Sequence, residues 1–170
     1  MKSVLISIQP KWCELIASSE KTLEVRKTRP KLETPFKCYI YATKVKPGWF
    51  DLAKKERFDG KVIGEFVCDN IRCFDVPYPA FQKELDKRIM DESCCTYYQL
   101  HRYAYHDAMY GWHISNLVIY ETPKKLSDFK KYNRTCYYDH LGLATPKCKD
   151  CKGCQVDRPP QSWCYVETLE

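Results

Sequence analysis

The chain has 170 residues, 44% of them hydrophobic and 29% charged, a balance typical of globular proteins and unlike that of fibrous or disordered chains. A formal net charge of +6, from 28 Lys and Arg against 22 Asp and Glu, favours encounters with phosphate-bearing partners without requiring them. No run approaches the roughly 20 apolar residues needed to cross a bilayer, and MKSVLISIQPKW turns polar too early for a secretory leader, so a single-domain cytoplasmic protein with no membrane partner is expected.

The elements follow in chain order. Ser3–Ile8 alternates Val4, Ile6 and Ile8 as a strand. Pro10 suits the first turn of a short helix whose apolar stripe is Trp12, Leu15 and Ile16 and whose end is Ser18-Ser19. Thr22–Lys27 alternates with period two, Leu23 and Val25 pointing one way and Thr22, Glu24 and Arg26 the other. Phe36–Thr43 reads as a buried strand, 47–57 as a short helix, Asp59-Gly60 as a turn, and Lys61–Phe74 as a long strand or a bent pair. Phe81, Leu85 and Ile89 have helical spacing after Pro79. Ser93 is the expected cap of a second helix carrying Tyr97, Leu100 and Tyr105, which Gly111 ends. Asn116–Glu121 and Ser162–Thr168 return to strand. The pattern predicts an α+β fold, a small and mostly antiparallel β-barrel with inserted helices.

Ser7-Ile8-Gln9-Pro10, the short helix, and then Glu20-Lys21-Thr22-Leu23-Glu24-Val25-Arg26-Lys27 resemble the signature of the ASCH domain, a branch of the PUA-like superfamily. That family carries a pattern close to G-x-K-T-x-E-x-R, met here by Lys21, Thr22, Glu24 and Arg26, with Ser19 in the usual place of the glycine. His113-Ile114-Ser115 leading into NLVIYETPKKL is similar to the family's last barrel strand and its proline-bearing exit, and Gln161–Val166 to a piece seen in phage-like members. The resemblance implies a PUA-like core over 1–127, with a helical insertion at 79–110 and a C-terminal extension over 128–170. It also implies a module that binds nucleic acid, RNA rather than DNA, or a modified nucleotide.

The residues support that expectation on physical grounds. Lys21 and Arg26 offer donors to a phosphate or base carbonyl, Arg in forked geometry, and Glu24 offers an acceptor for an exocyclic amine. The bland alternative is a solvated strand face whose charges stabilise little. Trp12, Trp49, Trp112, Trp163 and Tyr165 are candidate stacking walls, with Trp163 and Tyr165 favoured because they share a strand face opposite Cys164. An enzyme is the second class, since some small ASCH proteins deacetylate N4-acetylcytidine. The family's lysine then falls on Lys21, but its nucleophilic threonine falls on Glu24, which leaves Thr22 as a substitute hydroxyl and Glu84 or Glu92 as nearby acids. An interaction module of a phage or mobile element is the third.

The eleven cysteines include the adjacent Cys94-Cys95, and their odd number argues for free thiols and a metal site rather than disulfides. Cys148-Lys-Asp-Cys151-Lys-Gly-Cys154 overlaps two C-x-x-C units, which suits a structural zinc, with Cys136 as preferred fourth ligand over His140 or Cys164. An unmetallated loop and an iron–sulfur cluster are the alternatives. CCTYYQLHRYAYHDAMYGWHIS concentrates tyrosine and histidine. It reads either as a helix with its aromatic face on the core or as a surface where tyrosines stack on bases and Arg102 meets phosphate.

Overall fold

A computed structural model of the chain describes residues 1–44, 58–77, 85–105, 107–132 and 154–169. It divides into two compact units, the first comprising Met1–Pro10, Cys38–Gly64 and Tyr120–Glu170, the second Lys11–Lys37 and Glu65–Ile119.

In the first unit, the β-branched run of β1 (Lys2–Ile8) forms a central strand. It pairs in parallel with β3 (Phe36–Ala42), Val4 opposite Cys38 and Ile8 opposite Ala42. On its other edge it pairs antiparallel with β8 (Trp163–Glu167), Lys2 opposite Glu167 and Ile6 opposite Trp163. With β4 (Val62–Cys68) and β7 (Ser115–Lys124) these strands make a five-stranded sheet in the order β7-β4-β3-β1-β8. Leu5, Tyr39, Tyr41, Val62, Phe129, Val156 and Val166 form the core, where Tyr39 meets the Phe129 ring edge-on at 4.9 Å. Each such buried side chain contributes roughly 1.5–3 kcal/mol. The expected Asp59-Gly60 turn is present, with Gly60 in the left-handed region that glycine reaches without a Cβ penalty.

The second unit holds a three-stranded antiparallel sheet of β2 (Leu23–Arg26), β6 (Met109–His113) and β5 (Ile71–Phe74), in the order β2-β6-β5. Its described helices are α1 (Pro10–Ala17), α2 (Lys87–Ser93) and α3 (Tyr97–Ala104). Leu23, Val25 and Met109 from the sheet pack with Leu85, Ile89, Leu100 and Ala104. Gly111 lies opposite Val25, and a Cβ there would come within 2.8 Å of the buried Leu23 side chain.

Several expectations are corrected. The described strands form two sheets and no closed barrel, because β7, β8, β2 and β5 stand at sheet ends. Ser93 closes α2 instead of capping the next helix, and Thr96 does the capping through a reciprocal box with Gln99. That helix stops at Ala104 with Tyr105 in a left-handed C-cap, so Gly111 is a strand residue chosen for close packing. The helix expected over 47–57 and the start of the one after Pro79 lie outside the described residues. Among the described residues no helix is long and apolar enough to cross a membrane.

Candidate functional site

The turn after α1 sets the geometry. Ser19 takes the left-handed conformation, φ 62°, at the place where a glycine was expected. Its N–H donates to Ile16 O, while Lys21 N–H reaches back to Leu15 O, so the chain folds under the helix end. Thr22 is half-buried and fixed through its backbone, its N–H donating to Glu92 O and its carbonyl accepting from Ile114 N–H.

The alternation of β2 is present, but both of its faces are covered. Lys21, Glu24 and Arg26 are only 2%, 5% and 8% exposed. The Lys21 ammonium donates to Ser93 O at 2.7 Å and Leu23 O at 2.9 Å, and stands 3.4 Å from Glu24 Oε2. The other Glu24 oxygen pairs with Arg26 Nη2 at 2.9 Å. Two cations thus flank one carboxylate in a layer where breaking such a pair is costly. Glu24 Oε2 accepts no hydrogen bond among the described residues, since its contact with Lys21 is an ion pair without hydrogen-bond alignment.

Of the candidate walls, Trp12 joins this cluster: it is half-buried, with the Lys21 ammonium 5.1 Å and the Lys11 ammonium 4.4 Å from its ring. Trp112, opposite Glu24 on β6, is fully buried and edge-on to Phe36 at 5.9 Å, a core residue rather than a wall. Trp163 and Tyr165 share a strand face in the first unit, 5.3 Å apart and edge-on, with Lys2 3.7 Å over Tyr165. Cys164, on the opposite face, packs against the core of that unit. Trp49 lies outside the described residues.

Two of the described cysteines near the site are held away from nucleophilic chemistry. Burial first, and the neighbouring Glu24 second, push the Cys13 thiol well above its ordinary range, so it stays protonated beside the cluster. Cys68 is pushed up to about 12 by burial and then by Asp69. Among the acids considered, Glu92 pairs with Arg72 on β5, and Glu84 lies outside the described residues. His113 Nδ1 meets Asp69 Oδ1 at 2.6 Å, and this hydrogen bond holds the Asp69 carboxyl below the ordinary carboxylate value. Together with the bond from His113 N–H to Asn70 O, it latches β6 to the turn between β4 and β5.

Two partners of the site have no signal in the sequence. Ser93, which supplies a carbonyl to Lys21, is 72 residues away along the chain, and Asp69 is 44 residues from His113. Of the knuckle, Cys136, Cys148 and Cys151 lie outside the described residues, while Cys154 is buried and accepts from Lys131 N–H through its carbonyl. Among the described residues no group of three or more His, Cys, Asp or Glu side chains is placed to hold an ion.

No protein-family profile and no curated protein matches the sequence. Solved structures do. An ASCH protein from Zymomonas mobilis superposes with a TM-score of 0.59 at 18% identity, over 97% of this chain and 87% of that one. A single-substitution variant of it gives 0.60 at 18% identity, over 98% and 91%, and a second gives 0.59 at 17% identity, over 97% and 88%. The chain has an ASCH fold. Lys21, Thr22, Glu24 and Arg26 occupy the end of the turn after α1 and the strand that follows it.

Proposed function

We propose that the Lys21–Glu24–Arg26 cluster recognises a nucleobase or its phosphate, and that the protein binds nucleic acid, RNA in preference to DNA, or a modified nucleotide. The observation that carries this reading is the buried Glu24 carboxylate, flanked by the cations of Lys21 and Arg26, whose Oε2 accepts no hydrogen bond among the described residues. A base edge with an exocyclic amine beside a carbonyl complements such a site, the amine donating to Glu24 and the carbonyl accepting from a cation. The Trp12 ring beside Lys21 offers a stacking face. The ASCH fold and the net charge of +6 agree with this reading. RNA is favoured because its single-stranded loops can splay bases into such sites.

A hydrolase using Lys21, Thr22 and Glu24 gains less support, because three acceptors already surround the Lys21 ammonium. The protein-interaction reading needs a flat, uncharged surface around Lys21, and the surroundings are charged and buried. A structural zinc on Cys136, Cys148, Cys151 and Cys154 remains part of the proposal on the strength of its spacing, and elemental analysis of protein purified under reducing conditions tests it.

The deciding experiment is a calorimetric binding screen of nucleosides, nucleotides and single-stranded oligonucleotides against wild type, Lys21→Met and Arg26→Gln, with folding checked by circular dichroism. The expected result is affinity at least about ten-fold weaker in either folded variant, with a steep loss as salt rises. Equal binding by wild type and folded variants removes the proposal. N4-acetylcytidine belongs in the same screen, and its deacetylation would transfer the site to the hydrolase class.

A further inference from the structure

Among the described residues, five large apolar side chains are exposed, and three of them, Tyr98, Tyr103 and Tyr105, belong to α3 and its C-cap. Tyr98 and Tyr105 are 79% and 77% exposed, a level at which an aromatic ring gains almost nothing from the core. Leu100 and Ala104 anchor the helix from its other side. Tyr98 and Arg102, exposed and related as i and i+4, form an outward stripe, and the exposed Tyr105 follows just past the helix end as its left-handed C-cap. α3 contains no acidic residue and carries His101 and Arg102 in its last turn.

The stripe is held in place. Thr96 and Gln99 cap the helix start reciprocally. Tyr97, its hydroxyl donating to Pro77 O, stands edge-on to Tyr98 at 5.6 Å and stacks on His101 at 5.7 Å. Lys27, which pairs with Asp107 at 3.4 Å, stands 5.8 Å from the Tyr103 ring.

We infer that this outer face of α3 is a platform for single-stranded nucleic acid, with bases stacking on Tyr98 and Tyr105 and Arg102 meeting the phosphates between them. The inference rests on the nucleic-acid reading above and adds to it a surface that holds the strand. Tyr98 and Tyr105 are about 10 Å apart along the helix axis at 1.5 Å per residue, roughly three stacking steps of 3.4 Å. Exposed rings stack only on unpaired bases, so a duplex does not fit.

The test is fluorescence anisotropy at low salt with labelled 12-nucleotide oligo-U, oligo-dT and a duplex of the same length, alongside calorimetry with a nucleoside monophosphate. The variants are Tyr98→Leu/Tyr105→Leu, which keeps apolar bulk but removes stacking, Tyr98→Phe/Tyr105→Phe, and Arg102→Gln. The leucine pair is expected to weaken single-strand binding about ten-fold or more, with stacking lost at two positions, while the phenylalanine pair stays near wild type. Monophosphate binding, which reports on the Lys21 cluster, should be unchanged in all three, so failure of that cluster appears as absent monophosphate binding with single-strand binding intact. Absence of 12-mer binding by the wild type, undiminished binding by the leucine pair, or equally tight duplex binding overturns the platform. So does loss of a captured protein partner on the leucine change with 12-mer affinity unaltered.

Discussion

The coupling between Lys21 and Glu24 can be measured directly. Glu24→Gln keeps the shape and an amide oxygen that can accept from Arg26, but removes the carboxylate that both cations contact. At 3.4 Å and an effective dielectric near 20, the Lys21–Glu24 attraction amounts to about 5 kcal/mol before solvation is counted. The carboxylate regains hydration in the unfolded chain, and the net loss for breaking a buried pair is about 3–5 kcal/mol. For a chain of 170 residues that corresponds to a fall in Tm of roughly 6–20 °C. Lys21→Met also destabilises, since Ser93 O and Leu23 O lose a donor, yet it relieves the repulsion that Glu24→Gln creates between the two cations. The Lys21→Met/Glu24→Gln double variant should therefore be more stable than the sum of the single losses implies, by about 1–3 kcal/mol. Urea unfolding at pH 7 of wild type, both singles and the double closes the cycle. A coupling below about 0.5 kcal/mol would refute the buried ion cluster and the binding argument built on it.

Gly111→Ala should lower stability by about 1–3 kcal/mol, because the new methyl group meets a buried Leu23 side chain, and chemical denaturation reads the change. Ser19→Gly should raise stability by up to about 1 kcal/mol, since the left-handed strain it removes exceeds the entropy glycine adds to the unfolded chain, and a lower Tm contradicts the assigned turn. Iodoacetamide at pH 7.5 followed by mass spectrometry should label exposed Cys73 well before Cys13 and Cys68, whose thiols are buried and held protonated. Early labelling of Cys13 would show that the Glu24 cluster is open to solvent.

The sequence carries local signals well and long-range ones poorly, and the site shows both. Pro10, the apolar stripe of α1 and the alternation of Leu23 to Arg26 are local, and each predicted element is present. The turn chemistry was visible as well, with Ser19 in a glycine's place adopting the conformation a glycine would favour. Burial of the charged face of β2 was hidden, because alternation reports which residues share a face and not whether that face meets water. β6 was lost for a related reason: MYGWH follows a helix rich in tyrosine, and its glycine looks like a helix terminator until Leu23 is seen beside it. Likewise the exposure of Tyr98 and Tyr105 depends on which side of α3 faces Leu23, which helical spacing alone does not determine.

The pairing of β1 with β8 bears on how the chain is made. Ser3 and Thr168, whose hydroxyls lie 2.7 Å apart, are separated by 165 residues, so β1 waits for the much later β8 before its second edge is covered. Until then the run VLISI presents a free row of amide and carbonyl groups, the kind of template on which chains join edge to edge. Premature termination before Trp163 therefore does more than shorten the protein: it leaves a sticky apolar strand next to β3, and such fragments should collect in aggregates and be cleared by proteolysis.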